Sequence, residues 1–178
     1  MEIAEAQREV RDVFLSGSVG QLVSGLLWGA SASVATWTSP RSGILVVVLG
    51  GMLIFPVTQL LLAVLRRATT LSPKNDMRYL AMQVAFTIPL NLPVVAAAAL
   101  YRLNWFYPAC MIVVGTHYLP FIFLYGMWQF GVLAAVLIGG GVTIGLMFAE
   151  SFPLGAWFTA AALLLFAGWA RVYHVRRK

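Results

Sequence analysis

Six apolar runs divide the chain, at about residues 13–37, 43–65, 79–100, 106–125, 128–148 and 154–173. Each is continuous, and each has about the 20 residues an α-helix needs to cross a hydrocarbon layer. Strands of a membrane barrel would be shorter and would alternate apolar with polar. The pattern predicts an all-α integral membrane protein: one membrane domain over residues 1–178, built as a six-transmembrane-helix bundle. Residues 1–12 read differently. Ile3, Ala6, Val10, Val13 and Phe14 recur at helical spacing with charges between them, which predicts a short amphipathic lead-in on the cytoplasmic face.

Proline and small residues refine the spans. Pro56, Pro89, Pro93 and Pro120 fall inside them, predicting kinked helices that free the carbonyls of Met52, Ala85, Pro89 and Thr116. Gly17, Gln21, Gly25, Gly29 and Ser33 recur every four residues in the first span. Such a stripe lets a second backbone approach closely. It predicts a central position for this span, or a homodimer formed through it. Ser39 and Pro40 read as N-cap and N1 of the second span, and Asn75 or Asp76 as cap of the third.

Charge then orients the bundle. Of the 12 Lys and Arg residues, nine fall in odd-numbered connecting segments and Arg171 at the inner end of the sixth run, leaving only Arg41 and Arg102 in the even-numbered segments. The positive-inside asymmetry predicts both termini in the cytoplasm, in a bacterial or archaeal cytoplasmic membrane. Glu2, Glu5, Glu9 and Asp12 stand beside Arg8 and Arg11, which argues against a cleaved signal with a basic leader. Composition agrees with a bilayer as the main solvent. The chain is 61% hydrophobic and 10% charged, against about 25% charged in soluble domains. The basic excess is therefore read as topology and as contact with anionic headgroups by Arg66, Arg67, Lys74, Arg78, Arg171, Arg176, Arg177 and Lys178. No nucleic-acid partner is expected. Cys110 is the one cysteine, so no internal disulfide and no cysteine metal site is expected, and no cofactor.

Candidate chemistry is sparse because the apolar body of every span lacks Asp, Glu, Lys and Arg. That pattern argues against a Schiff-base lysine, a voltage sensor and a carboxylate-coupled pump. It also makes an intramembrane enzyme the weakest reading, since paired carboxylates and a His–Glu metal pattern are missing from the spans. A neutral set remains: Gln21, Gln59, Gln83, Asn91, Thr116 and His117. Buried amides in hydrocarbon need partners. One shared pocket among spans one to four would suit a small transporter or permease-like bundle that binds a neutral or amphipathic molecule. The alternatives are interhelical hydrogen bonds that only hold the bundle together, and a non-catalytic accessory, sensory or lipid-binding subunit. No motif matches a characterised transporter, channel or membrane enzyme.

Overall fold

A computed structural model describes residues 1–65 and 69–176. Among these the chain is helical: α1 Ile3–Val13, α2 Ser18–Trp37, α3 Pro40–Gly51, α4 Ile54–Val64, α5 Met77–Tyr101, α6 Phe106–Tyr125, α7 Gln129–Met147 and α8 Leu154–Arg176, with short 3-10 turns at Leu15–Gly17 and Leu103–Trp105. Four segments, ending in α5, α6, α7 and α8, are long and apolar enough to cross a membrane. The bent pairs α1–α2 and α3–α4 raise the number to as many as six.

Two bends shape the first two runs: the one before Pro56 falls where a kink was expected, and the one after Val13 was not expected. The first apolar run does not continue from Val13. Leu15, Ser16 and Gly17 are successively left-handed, at φ 49°, 56° and 82°, and turn α1 by 64° from α2. Left-handed backbone costs a non-glycine residue roughly 1–2 kcal/mol. Here burial of Leu15 and Ser16, and a hydrogen bond from Ser18 Oγ to the Leu15 carbonyl at 2.8 Å, hold it in place. The second run breaks at Met52–Leu53, where α3 and α4 diverge by 54°. Pro56 lacks the N–H that would have bound the Met52 carbonyl, so this bend has a local cause. By contrast, α5 runs unbroken through Pro89 and Pro93, and α6 through Pro120.

Expected caps form. Ser39 Oγ accepts from Ser42 N at 3.1 Å, with Pro40 opening α3. Asn75 Oδ1 accepts from Met77 N at the start of α5.

In packing, α2 and α6 occupy the middle of the bundle. On one side α7 lies along α6 and α8 along α2; on the other, α5 lies along α6 and α3–α4 along α2. The small-residue stripe of α2 is met from within the chain. A Cβ on Gly25 would stand 2.8 Å from Leu164, and one on Gly29 would stand 3.9 Å from Ala160. The stripe thus meets α8 of the same chain, as a central position for this helix requires, with Gly29 and Ser33 left half-buried. Close backbone approach also joins α6 to α7: a Cβ on Gly141 would lie 2.8 Å from the Pro108 carbonyl. Side chains of Trp28, Tyr107, Phe130, Met111, Leu137 and Leu163 fill the core.

One helix stands apart. Only 11% of the apolar window of α5 is buried, against 33–44% for α6, α7 and α8. It packs chiefly along α6.

Candidate functional site

Consecutive residues on α6 organise the polar set. Successive side chains diverge by about 100° around a helix. Tyr118 points to α2, where its hydroxyl donates to Gln21 Oε1 at 2.8 Å. His117 points to α5, with Nδ1 3.0 Å from the Val84 carbonyl and 2.9 Å from Thr87 Oγ1. A carbonyl can only accept, so Nδ1 carries the proton in this arrangement. Thr116 precedes them, is exposed, and donates back to the Val113 carbonyl at 2.8 Å. It lies on the flank of the α5–α6 pair that faces away from α2.

The same flank continues on α5. In an antiparallel pair, the residue preceding a contact residue falls on the same side of both helices. Val84 and Ile88 face the core; Gln83 and Thr87 precede them. Asn91 follows Thr87 by four residues, so Gln83, Thr87 and Asn91 form one row at i, i+4 and i+8. Gln83 and Asn91 are exposed. Asn91 Nδ2 donates to the Thr87 carbonyl at 2.7 Å, and Gln83 makes no hydrogen bond among the described residues. At ~1.5 Å per residue, Gln83, Thr87 and Asn91 stand about 9, 15 and 21 Å from the Met77 end of α5. All three depths fall within a hydrocarbon layer of about 30 Å.

The six polar residues are therefore not gathered in one pocket. Gln21 and His117 are tied to neighbouring helices. Gln59 lies on α4, where its Oε1 and the Thr58 Oγ1 are buried without a hydrogen-bond partner among the described residues. Gln83, Asn91 and Thr116 form a polar flank on the outside of α5 and α6. A separate apolar groove runs between α7 and α8, lined by Gly140, Thr143, Ile144, Phe148, Leu154 and Phe158, away from the polar set. The spacing of Gln83, Thr87 and Asn91 was readable from sequence. Tyr118 as partner of Gln21, and Thr87 as partner of His117, were not, because each pairing depends on which helices become neighbours.

A second cluster lies at the end of the bundle that carries both termini. Gln7 Nε2 donates to the Phe123 carbonyl at 2.6 Å, and Arg11 Nη1 donates to the Tyr125 carbonyl. These are last-turn carbonyls of α6, which lack partners in their own helix. Gly126 follows at φ 60°, and a Cβ there would stand 2.5 Å from Gln7 Oε1. Glu9 accepts from Ser72 N at 2.6 Å, Ser72 Oγ at 3.2 Å and Asn75 Nδ2 at 2.9 Å. Ser16 Oγ lies 3.2 Å from His174 Nδ1 on α8. Thus α1 clasps α6 and the segment leading into α5, and the turn after it meets α8.

The backbone hydrogen bond from Ser72 holds the Glu9 carboxyl below its ordinary value of 4.5, aided by the Asn75 and Ser72 side chains. A depressed carboxyl stabilises the docked state fully above its unfolded pKa, and that contribution is lost as pH falls through the lower folded value. Hydrogen exchange of α1 amides, corrected for intrinsic pH dependence, should therefore show protection at pH 7 that declines below about pH 4.5. Glu9→Gln should flatten this profile. An identical decline in the variant would show that Glu9 does not govern docking.

Of the residues expected to meet anionic headgroups, Lys74, Arg171 and Arg176 are exposed at this same end. Arg78 lies over the Tyr79 ring, 4.6 Å from its centroid. Arg66, Arg67, Arg177 and Lys178 lie outside the described residues.

Long apolar helices, close-packed through small residues, define a helical multi-pass membrane protein with four to six candidate spans. The chain belongs to a family of unknown function, DUF7010, whose model matches residues 3–172. No curated protein and no solved structure matches it.

Proposed function

We propose that this protein is a non-catalytic membrane subunit that docks a further transmembrane helix against the outer flank of α5 and α6. One observation carries the reading: Gln83 and Asn91 are exposed at membrane depth on the least covered of the four long apolar helices. A carboxamide left in hydrocarbon without a partner costs about 2–7 kcal/mol, depending on the reference state. A helix offering complementary groups would relieve that cost. In this reading the chain crosses a bacterial or archaeal cytoplasmic membrane six times with both termini in the cytoplasm. Lys74, Arg78, Arg171 and Arg176 then rest near anionic headgroups.

A second reading keeps the permease-like bundle for a neutral or amphipathic molecule. It is favoured by Thr58 Oγ1 and Gln59 Oε1 on α4, both buried without a hydrogen-bond partner among the described residues. The two readings differ at positions 83 and 91, which would face only lipid in the second.

Photoreactive residues introduced singly at 83, 87 and 91 in native membranes separate them. Protein adducts are expected from these sites, with lipid adducts alone from position 26, which is exposed on α2. Lipid adducts alone at all four positions would sink the docking reading.

A further inference from the structure

The polar row lies within a longer seam. Gln83, Thr87, Leu90 and Val94 follow the spacing i, i+4, i+7 and i+11, which is the knob pattern of two helices packed at a shallow left-handed angle. Leu90 is 74% exposed and Val94 is 63% exposed. Asn91 sits directly beside Leu90. Such a seam has a mate in ordinary bundles; Thr87, at its edge, also meets His117 on α6, while Gln83, Leu90 and Val94 are exposed among the described residues.

The chemistry of the seam selects the mate. It is neutral throughout, so a second copy brings no like charge against it. Its polar members at 83 and 91 are carboxamides, each of which both donates and accepts. Two copies threaded alike in one membrane are related by a two-fold axis along the membrane normal. That axis brings each residue opposite its own equivalent at the same depth. A different partner would need matching polar groups at both depths, whereas symmetry supplies them automatically.

We propose that the helix docked on this flank is α5 of a second copy, forming a parallel homodimer along Gln83, Thr87, Leu90 and Val94. The two Asn91 carboxamides hydrogen-bond across the axis near mid-membrane, and the two Gln83 carboxamides do so nearer the ends that carry the termini. This proposal rests on the docking reading above and names the partner it leaves open. The homodimer contact is thereby placed on α5 and not on the α2 stripe, which meets α8 of the same chain.

Leu90→Cys in native membranes tests it under mild oxidation. The expected product is a disulfide-linked species of twice the 19.4 kDa chain mass. Wild type is the blank, because its one cysteine, Cys110, is buried. Leu26→Cys, on an exposed part of α2, should remain monomeric. Asn91→Leu should weaken the dimer in detergent by roughly tenfold, and Asn91→Gln should restore most of it. If Leu90→Cys stays monomeric while photoreactive residues at 83 and 91 capture a protein of another mass, a different partner occupies the flank. The homodimer is then overturned and the docking reading stands. Lipid adducts alone at 83 and 91 overturn both.

Discussion

Gly43→Val is expected to separate α3 from α2 and α6 and to destabilise the bundle by about 3 kcal/mol, at the upper end of ordinary overpacking. The site has no slack. A Cβ at position 43 would stand 2.5 Å from Ala35 Cβ, 2.8 Å from the Tyr107 hydroxyl and 3.0 Å from Ala35 Cα. The last of these is backbone, so no rotamer change relieves the clash. Polar contacts are lost as well. Ser31 Oγ donates to the Gly43 carbonyl at 2.8 Å and lies 2.7 Å from the Tyr107 hydroxyl. Ser31 and Tyr107 are both fully buried, so displacing α3 leaves a serine or tyrosine oxygen without its partner in an apolar interior. An unmade buried hydrogen bond adds about 1–3 kcal/mol. Tyr107 also packs its ring on Trp28 and Phe152, which carries the disturbance into the core. Size-exclusion elution and thermal unfolding in detergent provide the measurement. Gly51→Val is the control, because a Cβ there meets nothing within 4 Å. Equal losses from the two substitutions would mean that α3 is sensitive along its whole length and not at this contact.

The origin of such contacts marks how far sequence reasoning reaches. Periodicity, length and charge were sufficient for helices, approximate boundaries and caps, because these depend on residues close in the chain. The Ser39–Pro40 start of α3 is one case, and the bend before Pro56 is another. The left-handed run Leu15–Ser16–Gly17 left no local signal. Glycine alone predicts one such residue, and leucine and serine join it only because tertiary burial holds them there. Neighbour relations were equally hidden. Gln21 and His117 belong to the same apolar pattern as a pocket lining would, yet Tyr118 and Thr87 satisfy them in adjacent interfaces. Gln83 and Asn91 share residue type with Gln21, but the open side of α5 gives them a different physical situation. Side-chain chemistry was legible from the sequence; exposure depended on the packing partner of each helix.

Asn75→Leu is expected to release α1 from the bundle, with a loss of about 2–4 kcal/mol in docking stability, combining a helix cap with unmade buried hydrogen bonds. Asn75 is fully buried and uses both ends of its carboxamide. Oδ1 accepts from Met77 N at 3.1 Å at the opening of α5. Nδ2 donates to the Ala6 carbonyl at 3.1 Å and to Glu9 Oε2 at 2.9 Å. Leucine nearly matches the volume and removes every one of these bonds, so α1 and the start of α5 lose their shared tie. Release should free the backbone around Arg8, already exposed, and Arg11, half-buried, for trypsin, and faster cleavage at these sites is the measurement. Asn75→Asp separates hydrogen bonding from size. Aspartate retains an acceptor for Met77 N but sets a carboxylate against Glu9, where asparagine offered an N–H. Like charges at hydrogen-bond distance repel, and protonating one of the pair relieves the repulsion. Docking in Asn75→Asp should therefore be weakest near pH 7 and recover as the solution is acidified, opposite to the wild-type trend set by Glu9. α1 hydrogen exchange, corrected for intrinsic rates, reads both profiles. Parallel profiles in the two proteins would mean that the Asn75–Glu9 contact does not hold α1 in place.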